Sequence, residues 1–199
     1  MPRANLSPAK VLDEALQWVD VHGYEQLSMA ALAHTFGVAV PSLYKHVPSL
    51  AWIQRGVAER GLQEIGDALQ QAAAGRYQEE ALRHMSQAYR KYAKVHPGRY
   101  AAIQRAPNPS DKDLQLLSER VLHPIYETLG TYGRTGDQAT HDVRLLRAAL
   151  HGFVSVEMAG GFGMPLNIEQ SFDHLIAAMD TVFRSGLRSK VPRPPNLDA

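Results

Sequence analysis

LSMAALAHTFGVAVPSLYKHVPSL, residues 27–50, decides how the rest of the chain is read. Ser28 is a side-chain cap for a short helix carrying Met29, Leu32 and Ala33. Gly37 breaks that helix. A third helix fits about Val40 to His46, and Pro41 is tolerable only in its first turn. Two short helices about a glycine turn make a helix-turn-helix, whose second helix suits the width of a major groove. Leu32 braces the pair, and Leu43 with Val38 faces the core. Val40, Pro41, Ser42, Tyr44, Lys45 and His46 are then free to face outward. Their chemistry suits a double-stranded DNA operator. The Ser28 and Ser42 hydroxyls and the Tyr44 phenol can bond phosphate or base edges. Lys45 is a point charge for phosphate, and Val40 and Pro41 can touch a thymine methyl. Helix N-termini add main-chain N–H groups that favour phosphate.

Outward from this stretch the pattern is helical almost everywhere, so the expected class is all-α. Ser7-Pro8 is a cap followed by proline at the first helical position. The helix they open ends at His22-Gly23. A long helix after Pro48-Ser49 carries Trp52, Ile53, Val57, Leu62, Ile65 and Leu69 as far as Gly75. Further helices are expected over about 78–95, 100–105, from Ser110 through Leu129, 137–158, and from Asn167 to about Gly186. Ser110 with Asp113 resembles a capping box. Residues 1–48 read as a three-helix helix-turn-helix domain, 49–74 as a connecting helix, 75–188 as a helical regulatory and dimerisation domain, and 189–199 as a proline-rich disordered tail.

Charge does not carry the DNA argument. The net formal charge of the 199 residues is +1, and five bases within residues 1–60 meet five acids. The absence of cysteine excludes disulfides and thiolate metal sites. The nine histidines show no helical pair spaced as in zinc proteases, so no metal or other cofactor is expected. No nucleophile elbow, strand-borne phosphate loop or acid pair supports an enzyme. The sequence has no apolar run long enough to suggest a membrane span, and MPRANLSPAK lacks the apolar stretch of a secretory signal, which implies a cytoplasmic protein.

The stretch resembles the DNA-binding domain of the TetR/AcrR family of bacterial repressors. The residues that carry the likeness are Ser28, Gly37-Val38 and Ser42-Leu43-Tyr44-Lys45-His46-Val47, with the preceding helix and the Gly23-Tyr24 turn in the same order. The chain departs at Ser49-Leu50, where the family often has Ser-Lys, and at Pro41, where small residues are common. More loosely, Leu150-His151-Gly152-Phe153, Gly160-Gly161-Phe162 and Ser171-Phe172 resemble a subclass with a Trp-His-Gly motif in the penultimate long helix, Leu150 standing for the tryptophan.

The resemblance implies a homodimeric repressor of a palindromic operator, released by a small hydrophobic or aromatic effector. The last two long helices would pair with their copies. Leu146, Leu150, Phe153 and Val154 on one, and Phe172, Leu175, Ile176, Met179 and Phe183 on the other, offer apolar rows for this. The expected effector pocket draws on Met85, Tyr89, Tyr92, Tyr100, Ile103, Tyr126, His151, Phe153, Val154 and Met158. The competing reading of each is ordinary core packing. The competing reading of the whole chain is a helical small-molecule-binding protein with weak or lost DNA recognition.

Overall fold

The computed structural model describes residues 6–185, and all of the regular structure within them is helical. The expected tail at 189–199 and the end of the last helix at Gly186 lie outside the described residues. Helix α1, Pro8–His22, begins and ends where its local signals place it. The Ser7 hydroxyl accepts from the Lys10 N–H at 3.3 Å, and Gly23 leaves the helix with a φ of 92° that L side chains rarely adopt. Val11, Ala15, Leu16 and Val19 form its buried face. After a 3-10 turn at Tyr24–Gln26 come α2, Met29–Thr35, and α3, Val40–Leu43. Together with the first part of α4 they enclose one apolar core, in which Leu32, Leu43, Ile53 and Val57 are fully buried.

Helix α4, Leu50–Ala73, joins the two halves. Ser49 caps it by accepting from the Trp52 N–H at 3.1 Å. At 24 residues it is about 36 Å long. Ile53 and Val57 sit in the N-terminal core, while Ile65 and Leu69 sit in the core of the second half. One rigid element therefore passes through both.

The second half is built from α5, Gln78–Val95; α6, Pro97–Ala102; α7, Lys112–Thr131; α8, Gly136–Met158; and α9, Ile168–Ser185. Two boundaries differ from the sequence reading. Helix α6 spans Pro97–Ala102 rather than 100–105, because Pro97 occupies the first turn, where its missing N–H costs nothing. Helix α7 is capped by Asp111, whose carboxylate accepts from the Leu114 N–H at 3.2 Å, and not by Ser110. The Ser110 hydroxyl is turned away to Asn108 Oδ1 at 2.8 Å.

An ionic knot, buried at Arg90 and Glu157 and open to solvent at Glu169 and Lys94, ties α5 to the end of α8 and the start of α9. The Arg90 guanidinium donates to both Glu157 oxygens at 2.7 Å and to Glu169 at 2.6 and 2.9 Å, and it lies over the Phe172 ring at 4.7 Å. Lys94 also reaches Glu157, at 2.7 Å. The hydrogen bonds from Arg90 hold the Glu157 carboxyl at a pKa of about 2, well below its ordinary value. A depressed carboxyl contributes stability that is complete above its unfolded pKa and lost as pH falls through the folded one. The expected result is a stability loss between about pH 4.5 and about pH 2 that Glu157→Gln reduces, the remainder coming from the carboxyls of Glu169 and Asp111, which their arginines also hold below the ordinary value. Urea midpoints measured across that range check it. A parent and a variant with parallel acid limbs would contradict it.

Candidate nucleic-acid interface and internal cavity

The surface at α2 and α3 is set by local geometry. The Ser28 hydroxyl accepts from the Ala31 N–H at 3.2 Å, so its lone pair is occupied by capping while its proton stays available. Gly37 turns the chain at a φ of 64°, and the Val38 N–H returns to the Ala33 carbonyl at 3.0 Å. Leu43 and Val47 are sealed in the core and pin the segment between them.

The expected helix over Val40–His46 is shorter than the sequence suggests. Only Val40–Leu43 is helical, and Tyr44, Lys45 and His46 lie on the turn that follows. Pro48 explains the early stop, since a residue before proline is driven out of the helical region and Val47 must also reach the core. Val40 is half-buried, packing on the N-terminal core while part of its side chain stays open to solvent. Pro41, Tyr44 and Lys45 are exposed, Tyr44 by 53%, with Ser42 and His46 half-exposed beside them. Leu50 packs half-buried against the same core.

The second half encloses a cavity of about 270 Å³ among α4, α5, α7, α8 and the segment that follows α6. Leu62, Ile65 and Leu69 of α4 form one wall, and Val143, Leu146 and Leu150 of α8 face it. Val121, Leu122 and Ile125 of α7 close the side. Of the expected lining residues, the structure brings Met85, Tyr89 and Ile103 to the wall. Tyr100 and His151 stand behind Tyr89 in a hydrogen-bonded chain: Tyr89 to Tyr100 is 2.8 Å between hydroxyls, and Tyr100 to His151 Nδ1 is 2.6 Å. Burial raises the pKa of both phenols, so both keep their protons.

The other expected lining residues lie elsewhere. Tyr92 turns to Glu64, donating at 3.2 Å. Phe153 stacks among Phe162, Phe172 and Arg90. Val154 is packed in the core, Tyr126 pairs with Thr140 near the surface, and Met158 is exposed. The apolar rows assigned to dimer contact are corrected in part, Leu175 and Met179 staying half-exposed. Leu146, Leu150, Phe172, Ile176 and Phe183 are core residues of the chain itself. The residues that α8 and α9 leave exposed include the small Ala148, Gly152, Ser155, Ala177 and Ala178, interspersed with Arg144, Val156, Met158, Asp173 and His174.

Ser86 is a site residue the sequence reading missed. It is fully buried at the cavity wall, and its hydroxyl finds no hydrogen-bond partner among the described residues. Such a group costs about 1–3 kcal/mol. Ser86→Ala is therefore expected to stabilise the ligand-free protein by about 1 kcal/mol in urea unfolding. A destabilisation of that size would mean the hydroxyl is satisfied.

Helix α6 joins the cavity to the N-terminal half. Asp20 Oδ1, near the end of α1, accepts from the Gly98 and Arg99 N–H groups at 3.1 and 3.0 Å. Asp20 Oδ2 pairs with Arg99 Nε at 2.9 Å and His96 Nδ1 at 3.2 Å. Arg99 also grips Glu64 of α4 at 2.9 Å. The two helices touch so closely that a Cβ on Gly98 would stand 2.0 Å from the Val19 carbonyl oxygen.

The described residues hold no helix long and apolar enough to cross a membrane and no cluster of side chains placed to hold a metal. Residues 82–179 match the tetracyclin repressor-like C-terminal domain. The chain is 38% identical over 158 residues to the uncharacterized HTH-type transcriptional regulator Rv0681 of Mycobacterium tuberculosis, covering 79% of this chain and 72% of that one. It is 29% identical over 187 residues to the uncharacterized HTH-type transcriptional regulator YobS of Bacillus subtilis, covering 94% and 95%. The fold is shared with the TetR family transcriptional regulator PfmR of Thermus thermophilus, with a TM-score of 0.63, 21% identity, and coverage of 89% and 98%.

Proposed function

The chain belongs to the TetR family of helix-turn-helix transcriptional regulators, and from that premise we propose that it is a homodimeric repressor released from a palindromic operator by a small apolar effector. The observation that carries this reading is the double attachment of α6. Its C-terminal side supplies Ile103 to the cavity, and its N-terminal side is locked on α1 through Gly98, Arg99 and Asp20. A ligand that displaces the cavity wall therefore pushes on the helix that positions the DNA-binding half. The effector can shift the balance only by its differential affinity for the two dimer shapes.

In this reading Pro41, Ser42, Tyr44, Lys45 and His46 meet the DNA, and Lys45, which forms no ion pair among the described residues, neutralises a phosphate. The exposed small residues of α8 and α9 let two copies approach closely, and the two-fold axis of the dimer is mirrored by the operator. Mobility shift with the duplex upstream of the chain's own reading frame tests the proposal. A complex whose affinity falls steeply with salt and outlasts excess unrelated DNA is expected. Binding no tighter than to unrelated DNA would favour instead a helical small-molecule-binding protein.

A further inference from the structure

We propose that the cavity takes an amphipathic anion, with its apolar body among the aliphatic side chains and its negative group held at the mouth by Arg147 and Arg105. This inference rests on the effector reading above and names the ligand's chemical class.

Charge at the cavity is one-sided. Two arginines line it, and no aspartate or glutamate does. Elsewhere in the second half most arginines are matched by carboxylates, among them Arg83 by Asp173, Arg90 by Glu157, Arg99 by Glu64, Arg134 by Asp142 and Arg184 by Asp180, while the exposed Arg144, which does not line the cavity, forms no ion pair among the described residues. Arg147 departs from that pattern. Its guanidinium donates to the main-chain oxygen of Gln104 at 3.0 Å and meets no carboxylate among the described residues. Arg105 reaches only Glu25, at 3.7 Å and with both side chains well exposed, a pairing worth little. Both arginines are exposed, whereas Ser86, on the same cavity, is wholly enclosed, so the cations mark the mouth. Arg147 is also close enough to act electrostatically on the Tyr89 and Tyr100 hydroxyls.

Three features distinguish a binding site from a packing defect. The walls are mainly apolar, with Ser86, Tyr89, Gln104 and Ser118 as their uncharged polar groups, and the volume is near the lower end of the range for ligand sites. A buried hydroxyl, Ser86, is left without a partner. A planar guanidinium with free donors stands where the apolar wall ends, which is the geometry for a carboxylate or a phosphate monoester.

The test uses the full-length chain and probes sharing one apolar body: decanoate, decyl phosphate, decanol and decyltrimethylammonium, each titrated below its micelle concentration by calorimetry at low and high salt. Either anion is expected to bind at least ten-fold more tightly than decanol, with the cation weakest and the difference shrinking in high salt. Decanoate against decyl phosphate separates the two sources of negative charge. Arg147→Gln should remove most of the anion's advantage and leave decanol unchanged, which also shows that the variant is folded. Equal binding of anion and alcohol, tighter binding of the cation, or no binding by any probe overturns the proposal. An anion that binds as expected but leaves the DNA complex intact supports the ligand class and overturns the release of the operator by that ligand.

Discussion

A dimer carrying Tyr44→Ala and Lys45→Ala in both subunits is expected to hold its operator two to three orders of magnitude more weakly than the parent. Each substitution removes one polar contact per subunit, and at about 1 kcal/mol for each of these contacts the loss approaches 4 kcal/mol. The salt dependence should fall too, with a slope lower by about 2 for the two lysines of the dimer. Both side chains are exposed and neither belongs to the N-terminal core. Folding stability should therefore move by no more than about 0.5 kcal/mol in thermal unfolding. Loss of binding with intact folding assigns the turn after α3 to the DNA. Unchanged binding would mean that another surface reads the operator.

Gly98→Ala is expected to be the most damaging small substitution at the junction. The added methyl would stand 2.0 Å from the Val19 carbonyl oxygen and 2.2 Å from its carbon. Both atoms are backbone, so no rotamer change relieves the clash and α1 and α6 must separate. Overpacking of this kind costs about 3 kcal/mol, and here the separation also strains the Asp20 hydrogen bonds to the Gly98 and Arg99 N–H groups. Gly130→Ala is the control, because a Cβ there meets nothing within 4 Å and alanine favours the helix. Urea unfolding of the two variants measures the contrast. If Gly98→Ala unfolds like the parent, the helices are not held as closely as this geometry requires.

The signals that were legible in the sequence are local ones. Ser7, Ser28 and Ser49 each cap a helix through a bond three residues away, and Gly23 and Gly37 turn the chain where no side chain is favoured. Where two local signals compete, the reading slips. Asp111 displaces Ser110 as the α7 cap, and Pro97 starts α6 although Gly98 beside it reads as a terminator. Gly98 is there for another reason, the approach of α1, which only the tertiary structure reveals.

The cavity was less legible for the same reason. Helical periodicity shows that α4 and α8 each have an apolar face, but not what that face meets. Leu146 and Leu150 read from the sequence as dimer contacts, and the structure uses them for the cavity wall. Aromatic residues drew attention as ligand groups, yet Tyr92 and Phe153 serve a hydrogen bond to Glu64 and a stack around Arg90. Ser86 gave no signal, because a serine within an amphipathic helix reads as a solvent-facing residue until its burial is known.

In the proposed function the cavity and the DNA-binding surface share one equilibrium. The most direct measurement is the operator affinity, by fluorescence anisotropy, of protein with and without a saturating ligand whose binding Leu146→Trp abolishes. A weaker operator complex is expected with ligand present, and an equal factor of weakening in ligand affinity when operator is bound, since coupling between sites is reciprocal. A ligand that fills the cavity and leaves the operator affinity unchanged would contradict it.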